Sequence, residues 1–292
     1  MSSRTVLSGM TLMAAVTALL LSTPGDSAAQ SWRTVNTSRQ LAGEREVDVL
    51  VRYGAGTFQV HPAEEGNALY RMRLRYDEDA LQPLSEYRDG RLQLGVQNGT
   101  RILSGGRSGS GEMDLALTRT VPMDLKLEFG AVRAELDLGG LSLRTLELST
   151  GASEAVLDIA EPNRVRMTKA RMEVGAASFT ASNLGNLNAD LIDISAGVGE
   201  VKLNFDGAWQ GDMDVKVGMG LGSLELGFPR GLGVRINRST FLTSFDSQEL
   251  VRRGEAYYSE NWDQAEHRVT LSVEAAFGSI KVHWFDGESF RP

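Results

Sequence analysis

The apolar positions of this chain follow a recurring pattern of strand, bend and strand. In the stretch 191–203, apolar and polar residues alternate up to Ala196, and the alternation resumes out of phase at Val201. A period of two is typical of a β-strand with one buried face. Gly197 and Gly199 lie where the phase changes, and small residues permit such a bend. The stretch therefore predicts two strand segments joined at a glycine corner with the apolar side kept inward.

The same pattern returns at intervals of about 23 residues. The corner residue of each copy is counted as position zero, and it is a glycine in five of the seven copies. The zero positions are Gly54, Glu128, Gly151, Gly175, Gly197, Gly220 and Ala276. Positions −3, +1 and +4 are apolar in each copy, position +2 is small, and positions −4 and −2 are mostly polar. Propeller blades need about 40 residues, so this period favours stacked rungs. We predict an all-β protein, a β-helix-like β-solenoid whose rungs of about 23 residues stack at roughly 4.8 Å.

The ends of such a stack expose unpaired strand edges and need caps. Residues 30–46 are polar and predict a loose lead-in, and residues 69–75 and 91–96 predict two strands in an antiparallel arrangement. Residues 230–267 interrupt the repeat and include a predicted short helix over 246–253. The N-terminal strands and this insertion are therefore the expected caps. The predicted divisions are a signal peptide (1–29), an N-terminal β section (30–121), continuous repeats (122–229), an insertion or cap (230–268), and a final repeat with the C terminus (269–292).

The first residues resemble a secretory signal peptide. Arg4 gives a charged start, residues 10–21 form an apolar run, and residues 27–29 form a small-residue cleavage site. Cleavage is expected after Ala29, and a retained N-terminal anchor is the alternative. No later run approaches the length of about 20 apolar residues that a membrane span requires. We expect an exported protein, in the periplasm or at the cell surface, with no membrane span after cleavage.

Composition and charge narrow the classes of function. The chain has 38 acidic and 30 basic residues and a net charge of −8, which argues against nucleic acid or an anionic membrane surface as partner. It has no cysteine, which excludes disulfides and thiolate zinc sites. Glu154 and Glu200 occupy an outward column but are separated by a rung that carries a serine. Two carboxylates that act together in acid–base catalysis must lie closer to each other than this. The residues predict no catalytic, cofactor-binding or metal-binding site.

An aromatic and acidic segment in the insertion is the predicted binding site. Tyr257, Tyr258 and Trp262 could stack on a sugar or dock a protein. The alternative is that these rings cover the open end of the solenoid. The leading hypothesis is a non-enzymatic envelope interaction or adhesion module that needs no cofactor and binds an envelope protein or glycan. An envelope-stress sensor or regulator partner is the alternative, and a polysaccharide-active β-helix enzyme is less favoured.

Three glycine-cornered units carry a resemblance to a known family. They are 54–58, 197–201 and 277–282, and they follow a leader-like N terminus. Over residues 45–286 the chain resembles the bacterial toast-rack proteins, the putative-adhesin domains akin to the C-terminal region of LiaF-type envelope-stress proteins. The resemblance implies a β-solenoid at the cell envelope with adhesion or sensor-partner roles and no catalytic residues. The chain lacks the multi-span membrane region of the LiaF-type proteins, which weakens the signalling role.

Overall fold

The computed structural model of the protein describes residues 31–64, 66–98, 111–246 and 249–286. The predicted signal peptide lies outside these ranges. One short 3-10 helix, Leu184–Leu187, accompanies the strands. The strands are β1 (Trp32–Gln40), β2 (Val47–Pro62), β3 (Ala68–Asp77), β4 (Leu81–Arg88), β5 (Arg91–Asn98), β6 (Gly111–Leu117), β7 (Met123–Asp137), β8 (Leu143–Thr150), β9 (Glu154–Asp158), β10 (Met167–Ser182), β11 (Ala189–Asn204), β12 (Met213–Pro229), β13 (Gly233–Thr240), β14 (Thr243–Asp246), β15 (Leu250–Arg253), β16 (Ala256–Ser259) and β17 (Arg268–Phe285).

The long strands stack in parallel and carry the core between them. Strands β10, β11, β12 and β17 each run through the corner and pair in continuous parallel register. Val201 of β11 lies between Phe179 of β10 and Leu224 of β12, and all three side chains are buried. Their stacking follows from the apolar +4 column, because each rung presents the same face at the same height. The predicted all-β solenoid of short rungs is confirmed.

The order of the layers differs from the order of the chain at both ends. Strand β2 pairs on one side with β5 and β6 and on the other with β7. The stack then passes through β8 and β9, β10, β11 and β12 to β17. Strand β17, the last of the described strands, lies between β12 and the outermost pair, β13 and β14. The C-terminal strand is therefore an interior layer of the solenoid.

Antiparallel strands cover both ends of the stack. At the N-terminal end, β4 pairs with β5, β3 pairs with β6, and β1 pairs with β3. At the other end, β16 pairs with β13 and β15 pairs with β16. These pairings occupy edge backbone groups that another chain could otherwise use. The predicted N-terminal antiparallel section and capping insertion are confirmed.

Three local predictions are wrong in detail. The expected loose lead-in contains β1, whose residues pair along the length of β3. The strands predicted over 69–75 and 91–96 exist, but β3 and β5 pair with other strands rather than with each other. The helix predicted over 246–253 is replaced by the end of β14 and by β15, with 247–248 outside the described residues. Strand β1 is formed by pairing with β3, and β15 by a hairpin with β16, so in both places strand pairing overrides a local preference.

The predicted register of the second copy is shifted by two residues. Strand β7 places Gly130, rather than Glu128, in the zero column, because Tyr53 pairs with Phe129 and Ala55 with Ala131. A Cβ atom at Gly130 would lie 2.4 Å from the carbonyl oxygen of Gly54, so only glycine fits there. A shift of two residues keeps the same side chains inward. Alternation alone therefore could not distinguish the two registers.

Buried asparagines hold the return loops of successive rungs together. The Asn163 side chain accepts a hydrogen bond from the Leu143 N–H at 2.8 Å and donates to the carbonyl oxygens of Leu143 and Val165, each at 2.8 Å. Asn186 repeats the arrangement one rung later, donating to the Ile159 carbonyl oxygen at 2.7 Å and accepting from the Ala208 N–H at 2.6 Å. Each amide thus satisfies backbone groups that the curved loop leaves without strand partners.

Asn163→Ala is expected to destabilise the solenoid by about 2–4 kcal/mol, because it leaves buried backbone groups of Leu143 and Val165 without partners. Chemical denaturation of the variant measures the loss. Asn67→Ala, at an exposed turn, is the control and should stay within about 0.5 kcal/mol of the parent. Equal losses in the two variants would contradict a structural role for the buried amide.

Candidate functional site

The structure separates the three aromatic residues that the sequence groups as one binding site. Tyr257 pairs with Ile236 and turns toward the end of the core. Its ring meets Phe245 edge to face at 4.9 Å, and the Arg238 guanidinium lies 5.5 Å from its centroid. Tyr257 thus covers the last core layer, as the alternative interpretation of this segment expects.

Tyr258 and Trp262 lie on the other side of the capping strands. Their rings meet edge to face at 5.4 Å, and both side chains are half-buried. Three arginines surround the pair; we call the five residues Tyr258, Trp262, Arg235, Arg253 and Arg268 the cap cluster. The guanidinium carbons of Arg235 and Arg253 lie 5.6 and 5.3 Å from the Tyr258 centroid, and that of Arg268 lies 5.9 Å from the Trp262 centroid.

The three arginines differ in whether their guanidinium groups already have a hydrogen-bond or ion-pair partner. Arg253 pairs with Asp263 at 2.9 Å, and Arg268 donates to the Trp262 carbonyl oxygen at 3.0 Å. The Nε of Arg235 is buried and has no hydrogen-bond partner within the described part of the chain. That Nε is shielded from solvent, whereas a guanidinium group beside an aromatic ring is in general suited to a carboxylate carried on a ring-shaped or planar ligand.

The outward carboxylates of the central rungs are neutralised by neighbours. Glu154 accepts a hydrogen bond from Arg133 at 3.2 Å, and Glu200 lies 3.1 Å from Lys202. Exposed pairs of this kind stabilise a fold by about 1 kcal/mol or less. Over the described ranges, the fold brings together no group of three or more His, Asp or Glu side chains able to hold a metal ion. In the same ranges, no helix has the length and hydropathy to cross a membrane.

The apolar +1 column is exposed, which corrects its predicted place inside the stack. Val198, Leu221 and Phe277 are 52%, 50% and 44% exposed although they occupy equivalent positions in adjacent rungs. The strand bends at this position, where a glycine or another small residue stands on each side, and the bend turns the side chain outward. The column continues to Leu242 in the outermost layer, which is 72% exposed.

A groove follows the zero column along the first half of the stack. It encloses about 830 Å³, and its floor is formed by backbone at Gly54, Gly130, Gly151 and Gly175. Leu81 and Val96 line its N-terminal end. The sequence pattern predicts Gly54, Gly151 and Gly175 as corners but not the groove, because a column without side chains creates space only when its copies are stacked in register.

An ion-pair network borders the groove. Arg52 donates a hydrogen bond to Glu128 at 2.9 Å, and Lys126 lies 3.2 Å from the same carboxylate and 3.4 Å from Glu147. The hydrogen bond from Arg52 is the main reason that the pKa of Glu128 is below its usual value. The rim is therefore charged but balanced, whereas the floor is neutral.

Solved structures with a similar chain trace include one described as a putative cell adhesion protein from Clostridium sporogenes. It is 17% identical, with a TM-score of 0.46, and the match covers 87% of this chain and 100% of that one. A putative adhesin from Bacteroides fragilis is 12% identical, with a TM-score of 0.34 and coverage of 86% and 97%. A putative lipid binding protein from Parabacteroides distasonis is 12% identical, with a TM-score of 0.35 and coverage of 86% and 96%. At this level of similarity, neither function nor partner carries over.

A family model accounts for more than half of the chain. The model described as the N-terminal domain of toast_rack, DUF2154, matches residues 25–182. That range includes the capping strands at the N-terminal end and the layers up to β10. No curated protein shows significant similarity to the chain. The glycine-cornered rungs and this match agree, and the chain belongs to the toast-rack family.

Proposed function

We propose that this protein is an exported, non-enzymatic interaction or adhesion module of the cell envelope, which binds an acidic envelope glycan through the cap cluster. The leader-like N terminus supports export. The observation that carries the proposal is the half-buried Tyr258–Trp262 pair flanked by the guanidinium groups of Arg235, Arg253 and Arg268.

The chemistry of the cap cluster favours an acidic sugar polymer over a neutral one. The apolar faces of Tyr258 and Trp262 can pack on sugar rings, and their polar atoms can reach hydroxyl groups. Arg235 would bind a uronic-acid carboxylate, gaining charge-assisted hydrogen bonds that are stronger than those between neutral groups. These guanidinium groups lie in a chain of net charge −8, so attraction to an acidic ligand is confined to the cap cluster.

Binding to an immobilised polymer of uronic acid, compared with a neutral polymer of similar length, tests the proposal. The parent is expected to bind the acidic polymer, and Trp262→Ala and Arg235→Gln are each expected to weaken binding roughly tenfold or more. Arg164→Gln removes an exposed arginine from a distant loop and should bind like the parent. All measurements need one salt concentration, because salt screens exposed charges.

The melting temperature separates a binding role from a covering role. If Trp262→Ala lowers the melting temperature but leaves polymer binding intact, the cap cluster only covers the end of the stack. Equal binding to neutral and acidic polymers would contradict the assignment of Arg235. Failure of the parent to bind any envelope glycan while retaining a protein from the envelope fraction would reject the glycan and favour a protein partner.

A further inference from the structure

The exposed corner column changes in size from one end of the stack to the other. Strand pairing places its members in adjacent layers, and each of them is exposed. The first four are alanines, and the last four are large and apolar. In order of the layers, the corner column is Ala55, Ala131, Ala152, Ala176, Val198, Leu221, Phe277 and Leu242.

The large half forms an apolar ridge that has no cover within the described residues. Phe241, 65% exposed, adds to it by meeting the Phe277 ring edge to face at 5.9 Å. Leu242 has a φ of 45°, in the left-handed region that a branched residue rarely adopts. This conformation costs free energy while displaying the side chain to solvent, and strained backbone of this kind is concentrated at functional surfaces.

The small half forms a recess that matches the ridge. Its alanines extend only one methyl group each beyond the backbone, so this half of the column lies low, and the 830 Å³ groove lies next to it, over positions −2 to zero. The apolar side chains of Leu81 and Val96 line the far end of this groove. One molecule therefore carries both a ridge and a recess on one continuous surface. The layer spacing along the two is the same, because both are built on the same stack of strands.

We propose that a second copy of this chain docks on the corner column, with the two stacks antiparallel and related by a two-fold axis. In that arrangement the column of one copy faces the column of the other in reverse order. Every large side chain then meets an alanine. The facing pairs are Ala55 with Leu242, Ala131 with Phe277, Ala152 with Leu221, and Ala176 with Val198.

The order of sizes is what selects a second copy as the occupant. A two-fold interface must be self-complementary, because the same patch is used by both subunits. Four small residues followed by four large ones meet that condition when reversed, whereas a parallel arrangement would place large side chains against each other. Exposed contiguous apolar surface of this kind is uncommon on monomers and marks interaction sites.

The charged columns beside the corner permit the same arrangement. In the polar −2 column, reversal brings Ser149 opposite Gly218 and Glu173 opposite Ser195. Glu128 is brought opposite Glu274, but Arg52 and Lys126 already neutralise Glu128. The net charge of −8 on each copy is therefore not concentrated in the facing surfaces.

Analytical sedimentation over a range of protein concentrations tests the proposal. The sample is the protein isolated from cells that express the full chain. A concentration-dependent dimer is expected. Leu221→Glu should weaken association roughly tenfold or more, because a charge would face the alanine half. Val156→Glu is the matched control, since Val156 is a 40% exposed valine in an outward column away from the corner, and it should dimerise like the parent.

A size exchange tests the facing pairs directly. Ala152→Leu and Leu221→Ala should each weaken the dimer, and the double variant should recover most of the affinity because the large and small partners are merely exchanged. Unchanged melting temperatures would show that all variants fold. A parent that stays monomeric at every concentration, a double variant no better than the singles, or a monomer that binds lipid vesicles or an extended peptide through the ridge would overturn the proposal. None of these outcomes depends on glycan binding at the cap cluster.

Discussion

Val201→Asp is expected to prevent the protein from folding. Val201 is 1% exposed and lies between Phe179 and Leu224 in the +4 column. The substitution removes roughly 1.5–3 kcal/mol of side-chain burial. It also places an unpaired carboxylate in the core, which costs a further 3–5 kcal/mol by comparison with broken buried ion pairs. The sum approaches the total stability of about 5–15 kcal/mol that is usual for a native protein.

Circular dichroism and limited proteolysis of the soluble fraction measure this loss. Ser195→Asp is the matched control, because it introduces the same side chain at an exposed position of the same strand. It should remain folded, with a stability within about 1 kcal/mol of the parent. A Val201→Asp protein as resistant to protease as this control would contradict the inward orientation of the +4 column.

Gly222→Ala is expected to have the second largest effect. Gly222 has a φ of +146°, and a Cβ atom there would lie 1.8 Å from the carbonyl oxygen of Gly199 in the neighbouring rung. That oxygen is backbone held in the stack, so it cannot move aside as a flexible side chain would. Opening the layers and straining the backbone should cost about 4 kcal/mol or more. The melting temperature should then fall by roughly 10 °C or more.

Gly218→Ala is the control for this experiment, because it makes the same change in the same strand. A Cβ at Gly218 would meet only the Ile194 carbonyl oxygen at 4.0 Å, which is ordinary contact distance. The variant should be neutral or more stable by up to about 1 kcal/mol, since alanine restricts the unfolded chain. The melting temperatures of the two variants, measured in parallel, are then compared. A loss in Gly222→Ala alone shows that the close approach of the layers, rather than the number of glycines, determines stability at the corner.

The apolar alternation, together with its recurrence about every 23 residues, predicts the solenoid. Ile194 and Val201 recur as equivalent positions in each copy, and parallel stacking requires that repetition. The two-residue error at Glu128 shows the limit of this information. Alternation has a period of two, so it cannot separate registers that differ by two residues, and only the close approach of Gly130 to Gly54 does so.

The surfaces were less predictable than the core. The +1 residues are apolar in sequence, as core residues are, and their exposure follows from the direction of the corner, which alternation does not encode. The sequence groups the aromatic segment as one binding site, but neighbouring residues of one strand point to opposite faces. Tyr257 and Tyr258 are therefore divided between the core end and the outer face, and the arginines that surround them come from other strands.

The interior position of β17 has a consequence for synthesis of the chain. Most solenoids can add rungs in the order in which they leave the ribosome, because each new rung docks on the previous one. Here β13 and β14 are made before β17, which is the layer that joins them to β12. The outer layer and its cap therefore cannot dock on the stack until β17 has been made, and a chain truncated before β17 leaves the edge of β12 unpaired.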